Sequence, residues 1–268
     1  MTPEFASITL RKALKRAGEV LNEHLGQSHE TALKESISSV VTKADLASEK
    51  AILEVLDEAP EPLNVITEES GFRVRNSAFT WVVDPLDGTS NFAARLPWFG
   101  VIIALFRGNI PVMGGMYLPL GGQLYLAEAG KGATCNGEAI SLTRSTDLSE
   151  HLVAYSFDFN EDPAKTRAEM EIMARLSRKV RNIRSTNSLV DFCYVADGKL
   201  GAAMNQTTRI WDIAVPWLLI REGGGRVTDI RGQEITFDLS PKGVNQNYTI
   251  LAAGSGLHEQ LLTTMSLK

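Results

Sequence analysis

Only two cysteines, Cys135 and Cys193, occur among 268 residues, and neither belongs to a CxxC pair. That scarcity excludes a disulfide scaffold and a thiolate metal site, and it favours a reducing, cytoplasmic setting in which both are structural. Histidine is nearly as scarce: His24, His29, His151 and His258 stand apart from one another and from the acidic motifs, which excludes a zinc centre. Basic charge is not in excess. Twenty-seven Lys and Arg against 32 Asp and Glu leave a net charge of −5, the wrong sign for a nucleic-acid surface. No apolar run approaches the roughly 20 residues that span a bilayer. The first five residues lack the basic-then-apolar order of a secretory leader. Serine-hydrolase elbows, a Walker phosphate loop, a GxGxxG fingerprint and internal repeats are all missing.

What is present is 44% hydrophobic and 22% charged, enough for a large core. Ile8, Leu10, Leu14, Ala17, Leu21 and Leu25 recur at helical spacing and predict an amphipathic first helix that Gly26 ends. Residues 27–39 read as a polar loop, 44–56 as a second helix and 63–66 as a short strand. Apolar runs at 101–106, 112–118 and 124–127, divided by Gly and Pro, predict successive strands of one antiparallel sheet. Beyond residue 147 strand and helix alternate, as in an α/β unit. The expectation is two halves: an α+β half over 1–147 and an α/β half over 148–268. The glycine run Gly223-Gly224-Gly225 reads as a helix cap.

The chemistry lies in Trp81-Val82-Val83-Asp84-Pro85-Leu86-Asp87-Gly88-Thr89-Ser90-Asn91. An apolar strand delivers Asp84, Pro85 turns the chain, Asp87 follows, and Gly-Thr-Ser opens a helix whose first N–H groups suit an anion. Alone, the run serves equally as a capped strand–turn–helix joint. Two distant places repeat the pattern: Glu68-Glu69 end the strand at 63–66, and Asp212 follows Ile210-Trp211 at the start of another helix. Carboxylates held against apolar residues repel one another unless a cation neutralises them. An all-oxygen set suits Mg²⁺ or Mn²⁺.

Together these motifs resemble the inositol monophosphatase family of Mg²⁺-dependent, lithium-sensitive phosphatases. One family signature is matched by residues 81–92, and a second by 211–225, with Glu68-Glu69-Ser70 ahead of the first. Residues 130–137 look like the family's structural turn between the halves, and the resemblance runs from about Lys34 to Gly225. It implies a five-layer αβαβα sandwich and a likeness to homodimers. It also implies two or three Mg²⁺ ions: Glu68, Asp84 and the Leu86 carbonyl resemble ligands of one, and Asp84, Asp87 and Asp212 ligands of another. Glu68 further resembles a ligand of a third. Gly88 and Thr89 match phosphate-binding backbone positions, and Asp45 with Thr89 matches a dyad that orients the attacking water together with Glu68. Lys34 matches a lysine of the family's mobile loop. Substrate contacts fall by resemblance on Asp87, Gly88, Thr89, Ser188, Asn205 and Asp212.

Three positions depart from the family pattern. Asn205 stands where inositol-specific members carry a sugar-binding glutamate, Leu189 is bulkier than usual in the turn after Arg184-Ser185, and Pro216 replaces a small residue. Pro216, counted from Asp212, is expected in the first helical turn, where proline is tolerated. The resemblance implies hydrolysis of a small sugar or inositol monophosphate by water, with no covalent intermediate. An aspartyl-nucleophile phosphatase is disfavoured, since Leu86 occupies the place of the second Asp in an Asp-x-Asp-Gly-Thr motif. Relatives sharing this metal site act on fructose 1,6-bisphosphate, 3′-phosphoadenosine 5′-phosphate or histidinol phosphate. A regulatory binding protein with a vestigial site is the alternative outside enzymes.

Overall fold

The computed structural model describes residues 2–27, 32–33, 40–60 and 63–266. Helix α1 (Pro3–His24) starts where the Thr2 hydroxyl accepts from the Phe5 N–H at 3.3 Å and Pro3 supplies a helix-ready φ. Its buried face is Ala6, Leu10, Ala13, Leu14, Ala17 and Leu21, while Ile8, expected on that face, is 59% exposed. The two-residue strands β1 (Ala32–Leu33) and β2 (Val40–Val41) pair with each other. The rest of the expected polar loop, Lys34 included, lies outside the described residues. Helix α2 (Lys43–Leu56) opens on a capping box between Thr42 and Asp45.

An eight-stranded sheet follows, in the order β10-β9-β8-β7-β6-β5-β3-β4. Its strands are β3 (Asn64–Thr67), β4 (Gly71–Arg73), β5 (Phe79–Asp87), β6 (Gly100–Arg107), β7 (Ile110–Leu118), β8 (Gln123–Glu128), β9 (Gly132–Cys135) and β10 (Glu138–Ala139). All neighbours are antiparallel except β3 and β5. Between β5 and β6 lies the short helix α3 (Thr89–Ala93). Pro85 does not turn the chain out of the sheet. Strand β5 runs through it to Asp87, and the register with β6 shifts between Asp84 and Asp87. A bulge is where a residue without an N–H costs the ladder least.

The remaining elements are β11 (Leu152–Ser156), α4 (Pro163–Leu176), β12 (Asn182–Arg184), α5 (Val190–Ala196), β13 (Ala202–Thr208), α6 (Ile210–Glu222), β14 (Arg226–Thr228), β15 (Tyr248–Ala253) and α7 (His258–Met265). Five strands form a mixed sheet, ordered β12-β11-β13-β15-β14. Strand alternation divides the core into three apolar layers. Trp81 and Val83 of β5 face α1 and α2, whereas Val82 faces the other way with Ile213, Val215 and Ala203. Ala202 and Met204 of β13 face α4 and α7 with Leu176 and Leu261, and Ala203 faces inward. Helices α5 and α6 therefore lie between the sheets, with α1 and α2 outside one and α4 and α7 outside the other. This is the expected αβαβα sandwich.

Two expectations change. Residues 130–137 form the turn into β9 and the β9–β10 hairpin within the larger sheet, anchored where Gly130 and Gly132 donate their N–H groups to Glu222 of α6. Helix α6 begins at Ile210, so Pro216 is seventh in it, in the second turn. Its missing N–H leaves the Asp212 carbonyl without the usual i+4 donor. Gly223 caps this helix and Gly224 follows at φ +84°, as the glycine run predicts.

Candidate metal centre

Three elements bring carboxylates to a cavity of about 670 Å³. Strand β5 ends there with Asp84 and Asp87, the turn after β3 brings Glu68, and α6 brings Asp212 in its first turn. One carboxylate oxygen from each of Asp84, Asp87 and Asp212 lies within 4.8 Å of the others. Each aspartate is held by a backbone N–H. Leu86 donates to Asp84 Oδ1 at 3.0 Å, Leu189 to Asp87 Oδ2 at 2.6 Å, and Arg209 to Asp212 Oδ2 at 2.6 Å. These bonds fix the carboxylates without supplying a full countercharge.

The result is electrostatically frustrated without a cation. Burial pushes the Asp84 carboxyl well above its ordinary range, and the charges of Glu68, Asp87 and Asp212 raise it further. Asp87 is pushed up to about 7, chiefly by burial, although the Leu189 N–H and the Ser188 side chain pull it back. Asp212 is raised by burial and then by Glu68, with the Arg209 N–H opposing. Among the described residues, the metal-ligating side chains gathered at the centre are all carboxylates, the chemistry of a hard divalent cation.

Asp45, the third residue of α2, reaches this centre from another layer. Its Oδ2 accepts from the Thr42 N–H at 2.7 Å and the Thr42 hydroxyl at 2.6 Å, and its Oδ1 lies 2.9 Å from the Thr89 hydroxyl. The same hydroxyl lies 3.0 Å from the Leu86 carbonyl oxygen. Gly88 caps α3 in the left-handed region at φ +81°. A Cβ there would sit 2.5 Å from the Trp98 carbonyl oxygen and 3.3 Å from Ser188 Cβ. Glycine is thus required by both backbone and space. Asn91 of α3 donates to the carbonyls of Trp98 (2.9 Å) and Thr186 (2.7 Å), tying this corner to the chain before α5.

Ser188 lines the cavity but is buried beside Asp87. Leu189, bulkier than usual in this turn, lines the cavity with a side chain that is 1% exposed and packs toward Gly100. Asn205 lines the cavity and donates its amide to Asp158 Oδ2 at 3.3 Å, and its Oδ1 accepts from the Thr207 N–H at 2.7 Å. Asp158 escapes a sequence reading because Asp158-Phe159-Asn160-Glu161-Asp162 resembles a solvated loop. Asn187, left-handed at φ +51°, donates to Asp158 Oδ1 at 2.9 Å and to the Phe157 carbonyl at 2.7 Å. Burial raises the Asp158 carboxyl, against these two amides. Asp191 is also unforeseen: it is buried below the cavity, where its Oδ2 accepts from the Ser156 hydroxyl at 3.2 Å.

Comparison with known proteins places this geometry in context. Residues 4–266 match the family described as the inositol monophosphatase family. The chain is 33% identical to the inositol-1-monophosphatase ImpA of Mycolicibacterium smegmatis over 241 residues, 88% of this chain and 84% of that one. It is 34% identical to the Nus factor SuhB of Pasteurella multocida over 225 residues, 82% and 84% of the two chains. The crystal structure of the extragenic suppressor protein suhB from Bartonella henselae superposes with a TM-score of 0.89 at 28% identity, covering 97% of this chain and 98% of that one.

Proposed function

The chain belongs to the inositol monophosphatase family, and we propose that it is a Mg²⁺-dependent phosphate monoester hydrolase acting on a small sugar or inositol phosphate. The observation that carries the proposal is the meeting of the Asp84, Asp87 and Asp212 carboxylates within 4.8 Å, the first buried and the other two half-buried. Glu68, Asp84 and the Leu86 carbonyl would hold one cation and Asp84, Asp87 and Asp212 a second, with Glu68 also serving a third, weaker one. When bound, the cations supply the charge that lets the carboxylates ionise together, acidify a water and neutralise phosphoryl oxygens.

The protein's own contribution is placement. With its proton committed to Asp45, the Thr89 hydroxyl turns its lone pairs to a water and orients it, and Glu68 lines the same cavity. The backbone N–H groups of Gly88 and Thr89 at the start of α3 would bind phosphoryl oxygens. The half over 1–147 supplies most of these groups, and the half over 148–268 supplies Asp212, Asn205 and Ser188. Hydrolysis yields an alcohol and inorganic phosphate. Release of phosphate from monoesters in the presence of Mg²⁺, and its loss in Asp84→Asn, tests the proposal.

The name Nus factor SuhB on a relative motivates a second reading, a binding role without catalysis. A chain that binds no Mg²⁺ and hydrolyses no monoester would favour that reading. The resemblance extends the first proposal to a cytoplasmic homodimer, which sedimentation tests. Among the described residues, no helix is long and apolar enough to cross a membrane.

A further inference from the structure

The wall of the cavity away from the metal centre is acidic, and this is unexpected for a pocket that must admit a phosphate ester. Asp158 and Glu161 line it, and Arg209 is the sole lysine or arginine among its described lining residues. The Arg209 guanidinium is turned aside, donating to the Asn245 carbonyl at 2.5 Å. Asp158 is a built feature. One oxygen takes the Asn187 amide and the other takes the Asn205 amide, and Asn187 is held in place by the Phe157 carbonyl and the Ser185 hydroxyl. Asn187 adopts φ +51° to do so, a conformation that costs a non-glycine residue energy.

Two amide donors occupy two of about four acceptor positions on a carboxylate. No lysine or arginine among the described residues lies within ion-pair distance of Asp158, which lines the cavity. The aromatic residue beside it, Phe159, is 44% exposed at the cavity lip. An anchored carboxylate with spare acceptors, next to an exposed ring, suits an alcohol that carries hydrogen-bond donors. It repels one that carries a second phosphate.

We infer that Asp158, held by Asn187 and Asn205, is a specificity-determining residue that accepts hydrogen bonds from hydroxyl or ammonium groups of the leaving alcohol and disfavours bisphosphate substrates. The inference rests on the phosphatase reading and narrows its substrate class to monophosphates of neutral or cationic alcohols.

The test measures phosphate release by the full chain with Mg²⁺ from four esters: p-nitrophenyl phosphate, glycerol 3-phosphate, 3-aminopropyl phosphate and fructose 1,6-bisphosphate. At least one donor-bearing monoester should exceed the bisphosphate by tenfold or more in kcat/KM. A preference between the hydroxyl and amino esters identifies the donor. In Asp158→Asn, the kcat/KM of the preferred donor-bearing ester relative to p-nitrophenyl phosphate should fall about tenfold, mainly through KM, and the gap to the bisphosphate should narrow. Asp158→Ala should give the same ranking, and retained p-nitrophenyl phosphate turnover shows that either variant is folded. Hydrolysis of the bisphosphate as fast as the donor-bearing esters, or an equal change on all four esters in both variants, overturns the inference. No release from any ester by the unmodified chain overturns the phosphatase reading and the inference with it.

Discussion

The Thr89 hydroxyl lies 2.9 Å from Asp45 Oδ1 and 3.0 Å from the Leu86 carbonyl oxygen, so one proton faces two acceptors. The carboxylate is the stronger acceptor and takes it. Thr89→Val removes the hydroxyl at nearly constant volume. It should lower kcat by about 10²–10⁴-fold, the span of a positioned proton-transfer group, while calorimetry finds Mg²⁺ affinity almost unchanged. Full kcat in the variant would remove Thr89 from water orientation. Asp45→Asn is a less clean probe, because Asp45 also accepts from both Thr42 groups at the start of α2.

Asp84→Asn removes the carboxylate proposed to bridge two cations. Turnover should be abolished while the fold survives. Burial and three neighbouring charges raise this carboxyl, so the variant without metal should melt at a higher temperature than the unmodified protein. Near-normal hydrolysis at saturating Mg²⁺ refutes the assignment.

Asp87 gives a pH dependence with a defined sign. Its carboxyl is pushed from the ordinary 3.8 up to about 7 in the folded chain, so between those values the native state keeps a proton that the unfolded state has lost. Stability of the metal-free protein should fall as pH rises through that window and level off above it. Mg²⁺ competes with the same proton, and its affinity should rise toward pH 7. Melting curves with and without Mg²⁺ from pH 5 to 8 should diverge as pH increases. A constant gap would contradict the assignment.

Gly88→Ala should cost about 1–2 kcal/mol from its left-handed backbone alone, and more from the 2.5 Å approach to the Trp98 carbonyl. Displacing α3 moves Thr89 with it, so phosphate release should suffer beyond the loss of stability. Urea unfolding and kinetics on the same sample separate the two effects.

His258 predicts acid sensitivity away from the cavity. The Thr228 hydroxyl donates to the Asp229 carbonyl at 2.7 Å, so its contact with His258 Nε2 at 3.0 Å requires the ring to donate there. Nδ1 is then buried without a partner, and burial followed by the Arg226 charge depresses the ring to about 4. The unfolded chain takes up this proton near 6.5, before the folded one does. Stability should therefore decline as pH falls from about 6.5 toward 4. In His258→Leu the urea midpoint should lose less over that interval.

The layers of the fold were legible because strand alternation and helical periodicity record which face meets which neighbour. Trp81, Val82 and Val83 alternate in the sequence as they alternate between two cores. The acidic centre is legible as a group because two apolar strands lead into carboxylates and an apolar helix opens on a third. Pro85 misleads, since a proline inside a strand reads as a break until the bulge that accommodates it is seen. Counting from Asp212 puts Pro216 too early, because the helix starts two residues before that aspartate, at Ile210. Asp158 is illegible for another reason. Its environment is made by Asn187 and Asn205, 29 and 47 residues away, and no local pattern announces that convergence.

Asp87 has two obligations, one to the acidic centre and one to the Leu189 N–H 102 residues further along the chain. The second uses Oδ2, which keeps a further lone pair, and beside it Asn91 clasps the Thr186 carbonyl without using a carboxylate at all. Losing its ions would leave the corner between the sheets latched, so the cavity could be emptied and recharged without being rebuilt.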